Sequence, residues 1–374
     1  MYNFFDSDSE EDYDDILDQT FFNKYHCIKR LGQGSFGQIY EAKYKNEKFA
    51  LKFENRNKNY NLLQNEAAIM NYLKGPNIPL VKSYGFTSCY NILVMQLLGK
   101  SLEDLLIEKK FFSMKTVCML GYQMVNILEF IHEKHILHRD VKPENFVMGL
   151  DELSDNVYLI DFGLAKKYRS IKTLIQYPLI KKKQLTGTAR YASINALKGY
   201  EHSRRDDLES VGYILIYFLK GKLPWQNIKA TTKEDKYQKI LEKKMEISSK
   251  ELYKGYPNEL AEFLEYTKNI EYNERPNYDM LRKLFDDIML KEKYNYDYIY
   301  DWTTIEEKES RKNNKSKTEP TNGDTSSNHE TEKKDNIEKN TKDNSYHIQR
   351  NNKILENYVY QESEVCCSSG CSIF

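Results

Sequence analysis

The sequence predicts an α+β fold in two lobes, a small β-rich N-terminal lobe and a larger helical C-terminal lobe, with a cleft between them. Two observations carry this. The first third of the chain alternates short β-patterned runs with glycine or polar breaks, whereas the remainder carries apolar residues at helical spacing. The composition then marks off a unit of about 25–302 between an acidic stretch, 1–24, and a polar tail, 303–374.

The elements follow in order. Tyr25–Gly32, Gln38–Lys43 and Lys48–Glu54 read as strands, and Tyr90–Leu97 as another. Asn61–Leu73 reads as a helix stopped by Gly75 and Pro76. Ser113 is placed to cap a helix whose Val117, Leu120, Met124, Leu128 and Ile131 form one stripe, and 206–220 and 257–270 are helical in pattern. Between Arg311 and Ser345 the only apolar side chain, glycine and proline aside, is Ile337, too little to repay the entropy of ordering.

Bulk properties exclude several classes. There are 56 basic and 56 acidic residues, a formal net charge of zero, so no global field draws the chain to nucleic acid. Cys27, Cys89 and Cys118 are scattered singly, which suits free thiols rather than a disulfide framework. The first twenty residues lack the basic start of a secretory signal, and the apolar run at Val211–Leu219 is too short to span a bilayer. The expectation is an intracellular enzyme or interaction protein.

Chemistry enters at Gly32-Gln33-Gly34-Ser35-Phe36-Gly37. Glycines at this spacing are a weak signal alone. A dinucleotide-binding loop would open a helix, yet Gln38-Ile39-Tyr40-Glu41-Ala42 alternates like a strand. A glycine loop between two strands lets backbone approach phosphates with no side chain in the way. Lys52 follows on a strand after Ala50. Glu66 on the next helix is its expected partner, with Gln64 and Glu54 as the alternatives.

The most specific signal is His138-Arg139-Asp140-Val141-Lys142-Pro143-Glu144-Asn145, followed by Asp161-Phe162-Gly163 after an apolar strand at Val157–Ile160. Asp140 is placed to accept a proton from a substrate hydroxyl, and Lys142 to offset charge on a transferring phosphoryl group. Asn145 and Asp161 supply hard oxygens for Mg²⁺ bridging the phosphates of ATP. His138 reads as a packed structural residue. This set resembles the protein kinases, and Lys142 two residues after the aspartate favours Ser/Thr over Tyr acceptors.

Over roughly 25–302 the sequence further resembles the casein kinase 1 family of protein serine/threonine kinases. The resemblance rests on the run from Met95 to Leu105, on Leu185-Thr186-Gly187-Thr188-Ala189-Arg190-Tyr191-Ala192-Ser193-Ile194-Asn195, where Ser-Ile-Asn replaces Ala-Pro-Glu, and on the Ser203–Ser210 run. Leu223-Pro224-Trp225-Gln226 and the closing Tyr296–Trp302 belong to it as well. It implies Met95 as gatekeeper, Leu98 backbone groups at the adenine edge, and Gly32, Gly34, Gly37, Ile39, Ala50, Lys52 and Glu66 around ATP. It implies an activation segment that works without its own phosphorylation. It also implies substrates with acidic or phosphorylated residues, bound by two basic clusters, Arg190 with Lys236, and Arg139, Lys166 and Lys183. Surface solvation is the other reading of these cations. The sequence departs from the family at Gln96, where a glutamate is usual, and at Thr232–Lys236, which carries acidic residues.

The chain ends Cys366-Cys367-Ser368-Ser369-Gly370-Cys371-Ser372-Ile373-Phe374. Cys371, fourth from the end, has prenylation spacing, though Ser372 is a poor aliphatic, and Cys366 and Cys367 offer palmitate sites. Stable anchoring takes two such signals. The expectation is a kinase at the cytoplasmic face of a membrane; the alternatives are a tail with incidental thiols on an unanchored enzyme, and a kinase-fold scaffold without turnover. Ser7 and Ser9 lie in an acidic run that reads as a solvated terminus or a phosphorylated segment able to occupy the anion sites.

Overall fold

Alternation along one strand decides the N-terminal lobe. In the computed structural model, which describes residues 16–34, 37–56 and 62–304, six antiparallel strands form one sheet in the order β1-β2-β3-β4-β6-β5. They are β1 (Thr20–Phe21), β2 (Tyr25–Gly34), β3 (Gly37–Tyr44), β4 (Glu47–Asn55), β5 (Val81–Phe86) and β6 (Tyr90–Gln96). Successive strand residues face opposite sides. Phe49, Leu51 and Phe53 therefore fill a core on one face with Tyr25, Tyr40 and Val94. Ala50 and Lys52 turn to the other face, where Ala50, Leu93 and Met95 join the main core.

Helix α1 (Leu62–Leu73) packs on that second face through Leu63, Ala67, Met70 and Leu73, and its three-and-four spacing buries Glu66 beside them. Glu54, an alternative partner for Lys52, caps this helix instead: its Oε1 accepts from Leu62 N and Leu63 N at 3.0 and 3.1 Å, and its Oε2 from Asn91. Gln64, the other alternative, is exposed.

The larger lobe is helical: α2 (Leu102–Lys109), α3 (Met114–Glu133), α4 (Ile194–Leu197), α5 (Arg204–Lys220), α6 (Lys233–Glu246), α7 (Ser249–Leu252), α8 (Asn258–Asn269) and α9 (Tyr278–Lys291). Ser113 caps α3 by accepting from Thr116 N. Helix α5 is the lobe's axis, with every residue from Arg204 to Leu219 buried. Short strand pairs, β7 (Ile136–Leu137) with β10 (Lys166–Lys167) and β8 (Phe146–Met148) with β9 (Val157–Leu159), hold the loops that face the small lobe. No helix among the described residues is long and apolar enough to cross a membrane.

The N-terminal boundary differs from the composition. Packing begins before Tyr25, because β1 pairs with β2 and Ile16 and Phe21 are buried in the outer core of the sheet. An acidic average over 1–24 hides these two apolar residues. At the other end the packed chain continues past α9. Tyr300 donates to Asp155 O at 2.7 Å and accepts from Gln123 Nε2 at 2.8 Å, while Trp302 stacks on Tyr300 and tilts against Phe112.

This closing strap joins α3 to the β8–β9 pair without belonging to any regular element. Tyr300→Ala is expected to lower the free energy of unfolding by about 3 kcal/mol, read as a shift in the urea midpoint at unchanged slope. A loss below about 0.5 kcal/mol would show that the strap is dispensable.

Candidate active site

Between the lobes lies a cleft of about 920 Å³. Its small-lobe wall holds Gly32, Gly37, Ile39, Ala50, Lys52 and Glu66, its connecting edge Met95 and Leu98, and its floor Asp140, Lys142, Asn145 and Asp161. These residues are scattered over some 130 positions of sequence, from 32 to 161.

At the inner end three charges meet. Lys52 Nζ lies 2.7 Å from Glu66 Oε2 and 2.9 Å from Asp161 Oδ1. Burial alone would lower the lysine's pKa, but the two carboxylates outweigh it and hold the ammonium above its ordinary value. Burial likewise opposes ionisation of Asp161, and Lys52 beside it brings that carboxyl below the usual range. The lysine thus stays charged on the cleft wall, positioned by a helix on one side and a loop on the other.

Asp140 is held from both sides. Its Oδ2 meets Lys142 Nζ at 2.7 Å, its Oδ1 accepts from Thr188 Oγ1 at 2.8 Å, and its carbonyl accepts from Asn145 Nδ2 at 2.9 Å. Burial works against the Lys142 ammonium, and Asp140 overrides it, keeping the lysine charged. His138 is wholly buried, donates Nε2–H to Ile160 O at 3.0 Å, and packs edge-on against Phe162. It is a structural residue, as its place in the motif predicts.

The loop's backbone is set by a residue outside the motif. Asp207 on α5 accepts from His138 N at 2.8 Å, from Arg139 N at 2.9 Å, and from the Nε2–H of His132 at 3.0 Å. Burial keeps His132 neutral, so its Nδ1 accepts from Tyr278. Arg139 and Asp161 both have positive φ, 67° and 65°, a conformation that costs a non-glycine residue unless its surroundings enforce it. Asp207 enforces the first.

The segment from Leu185 to Asn195 closes the floor. Gly187 has φ of 88°, and a Cβ there would stand 2.3 Å from Arg139 O, so only glycine lets the segment approach. Trp225 Nε1 donates to Arg190 O at 2.7 Å, Ser193 Oγ to Asp206 Oδ1, and Ile194 N to Glu209 Oε1 at 2.8 Å. Lys244 of α6, buried against Tyr213 and Trp225, donates to Ala192 O and Ala189 O. Burial depresses its pKa to about 7.

The sequence-predicted basic residues are less evenly gathered. Lys166 and Lys183 both pair with Glu201, and Arg139, whose Nε donates to Leu164 O, feels the same carboxylate. Arg190 lies over the rings of Tyr191 and Tyr217. Lys236 is exposed on α6, and its side chain makes no hydrogen bond or ion pair among the described residues. Lys233, one turn earlier, is the α6 residue that lines the cleft. The acidic residue beside Lys236 steadies the start of the helix, where Asp235 accepts from Thr231 N and from Lys239. The tip of the glycine loop, Ser35 and Phe36, and Cys366, Cys367 and Cys371 lie outside the described residues.

Where could nucleotide and metal sit? Neither the N–H nor the C=O of Leu98 makes a hydrogen bond among the described residues, which leaves two backbone groups at the cleft edge. Asn145 donates an amide hydrogen to Asp140 O and keeps its side-chain oxygen, and Asp161 meets Lys52 through Oδ1. Two hard oxygen donors suit a magnesium ion completed by phosphates and water. Among the described residues no group of three or more His, Cys, Asp or Glu forms a cage that would hold a metal by protein alone.

A cleft so arranged can hold a nucleoside triphosphate with its phosphates at Lys52 and present a hydroxyl to Asp140. The family model of the protein kinase domain matches residues 25–285. The chain belongs to the protein kinase family. It is accordingly an ATP-using transferase that phosphorylates proteins.

Sequence reasoning missed Asp207, Thr188, Lys244 and Gly187 as site residues. Asp207, Thr188 and Gly187 lie in quoted runs and Lys244 lies outside them, and each makes its contact with a distant segment. Thr188→Ala is expected to lower kcat about tenfold to a hundredfold, the worth of one hydrogen bond to a charged group, with KM for ATP unchanged and Thr188→Ser restoring most of the rate. A change confined to KM for ATP would remove Thr188 from the catalytic floor.

Proposed function

We propose that this kinase is a serine/threonine kinase of casein kinase 1 type, acting with ATP and Mg²⁺ on proteins whose acceptor lies near acidic or phosphorylated residues. One observation supports this best: Asp140 is gripped by Lys142 at 2.7 Å and by Thr188 at 2.8 Å, within the same cleft as the Lys52–Glu66–Asp161 cluster.

The chemistry follows from the residues. The acceptor oxygen attacks the γ-phosphorus, the bond to the β-phosphate oxygen breaks, and the hydroxyl proton passes to Asp140 Oδ1 or Oδ2. Lys142 balances charge on the transferring group, and Lys52 holds the phosphates. Asn145 and Asp161 would hold Mg²⁺, which when bound neutralises the phosphate charge. The bonds from Lys244, Trp225, Glu209 and Asp206 hold the activation segment without a phosphate group, in keeping with a kinase that needs none there.

Acidic substrates fit the surplus of positive charge. Around Glu201 stand Lys166, Lys183 and Arg139, three cations to one carboxylate. Arg190, with Lys233 or Lys236, is the second anion site in this reading. The C-terminal Cys371, with Cys366 and Cys367, carries the membrane part of the proposal, by prenylation or palmitoylation at the cytoplasmic face.

Asp140→Asn is expected to reduce phosphorylation of an acidic or primed serine peptide by at least about a thousandfold. Unchanged activity would remove Asp140 as the base. Replacing the peptide's acidic residues by alanine should raise KM severalfold, and an unaffected KM would refute the acidic preference. In eukaryotic cells Cys371→Ser is expected to move the protein from the membrane to the cytosolic fraction. A C-terminal peptide of unmodified mass in a cytosolic wild type would end the anchoring reading.

A further inference from the structure

Exposed apolar side chains are concentrated in one short stretch of the domain. Ile171, Leu174, Ile175, Tyr177, Leu179 and Ile180 are 39–69% exposed. A single exposed leucine is ordinary, but six such residues within ten positions form a patch that a water-facing surface has no reason to keep.

The backbone that carries them is pinned. Ser170 N donates to Ile175 O at 3.0 Å and Leu174 N to Ser170 O at 2.9 Å, closing a tight loop. Tyr177 N donates to Tyr168 O at 2.9 Å, and Gln176 Nε2 to Tyr272 O at 2.9 Å. Further on, Glu201 N donates to Ile180 O at 2.8 Å and Lys183 N to Gly199 O at 2.9 Å. The segment is tied to the body at both ends and along its length, and still presents its apolar side chains outward.

Along the sequence the patch lies among charges of one sign up to Glu201, whose N donates to Ile180 O and whose carboxylate pairs with Lys166 and Lys183. From Phe162 to Tyr200 there are nine Lys and Arg and no Asp or Glu, in a chain of zero net charge. The side chains of Lys172 and Lys182 are exposed and make no hydrogen bond or ion pair among the described residues. None of the six apolar residues lines the ATP cleft or the groove between Phe111 and Pro257. Peptide recognition uses a groove or a sheet edge. Protruding aliphatic tips set among lysines are instead the pattern of a surface that lies on anionic lipid.

We propose that the segment Ser170–Lys183 is a membrane-binding surface of the kinase domain, its aliphatic tips entering the headgroup boundary and its lysines facing anionic lipid. The proposal extends the membrane reading above, but it stands on the domain's own surface and needs no lipid on the cysteines. Leu185 and Thr188, a few residues on, line the cleft, so docking here sets the catalytic floor beside the bilayer.

The full chain made in bacteria, where its cysteines carry no eukaryotic lipid, is to be sedimented with phosphatidylcholine vesicles with and without phosphatidylserine. The wild type should bind the anionic vesicles and lose binding as salt rises. Leu174→Ser with Ile175→Ser should reduce binding about tenfold, and Lys172→Gln with Lys182→Gln about fivefold. Both variants should keep wild-type activity on a peptide without vesicles. A wild type that does not sediment, or double variants that bind as it does, would overturn the proposal. If the wild type stays in solution and the Leu174/Ile175 variant raises KM for a whole-protein substrate but not a peptide, the patch docks protein instead. Vesicle binding together with unmodified Cys366, Cys367 and Cys371 in cells would uphold this surface and end the lipid anchor alone.

Discussion

A single buried carboxylate sets the geometry on which the site depends. Asp207 takes hydrogen bonds from two consecutive backbone N–H groups of the catalytic loop and from a neutral histidine on α3. Buried charge is costly unless every lone pair has a partner; here His138 and Arg139 N–H groups and His132 supply them. The chain at Arg139 is thereby kept at positive φ, which carries Asp140 to the floor of the cleft. Helix α5, buried from Arg204 to Leu219, gives that carboxylate a rigid base.

The two lobes meet through electrostatics rather than through shape alone. Lys52 belongs to the sheet, Glu66 to the helix that packs on it, and Asp161 to the loop of the large lobe. One ammonium therefore reports on the position of three elements at once. Were α1 to move outward, Glu66 would leave the lysine and Asp161 would keep it, so the ammonium would stay paired while its direction changed. Lys244 plays a related part under the Leu185–Asn195 segment, where a buried amine donates to two carbonyls and rests on Tyr213 and Trp225.

Much of this was legible in the sequence where the signal is local. Glycine spacing before a β-patterned run, an aspartate and asparagine five apart, and a strand before Asp161-Phe162-Gly163 each encode a short-range backbone demand. The partner of Lys52 was legible because helical spacing puts Glu66 on the buried face. What stayed hidden depends on contacts across the fold. Asp207 lies nearly seventy positions from the loop that it holds, 69 from His138 and 68 from Arg139. Strand β5, Val-Lys-Ser-Tyr-Gly-Phe, has little β-pattern and exists because β6 pairs with it. Helix α6 is mostly charged and buries only Ile240, Leu241 and Lys244. Ile16 and Phe21 were obscured by the acidic residues around them.

Met95 has a consequence for chemical intervention. It stands opposite Ala50 in the sheet, is buried, and lines the nucleotide cleft with an unbranched, adaptable side chain. Truncating it removes volume from the cleft wall without touching a charge, a hydrogen bond or any residue of the catalytic floor. The position is thus a natural place to engineer selectivity, since a bulky nucleotide analogue or inhibitor that the intact methionine excludes would gain a hollow of its own in the altered enzyme.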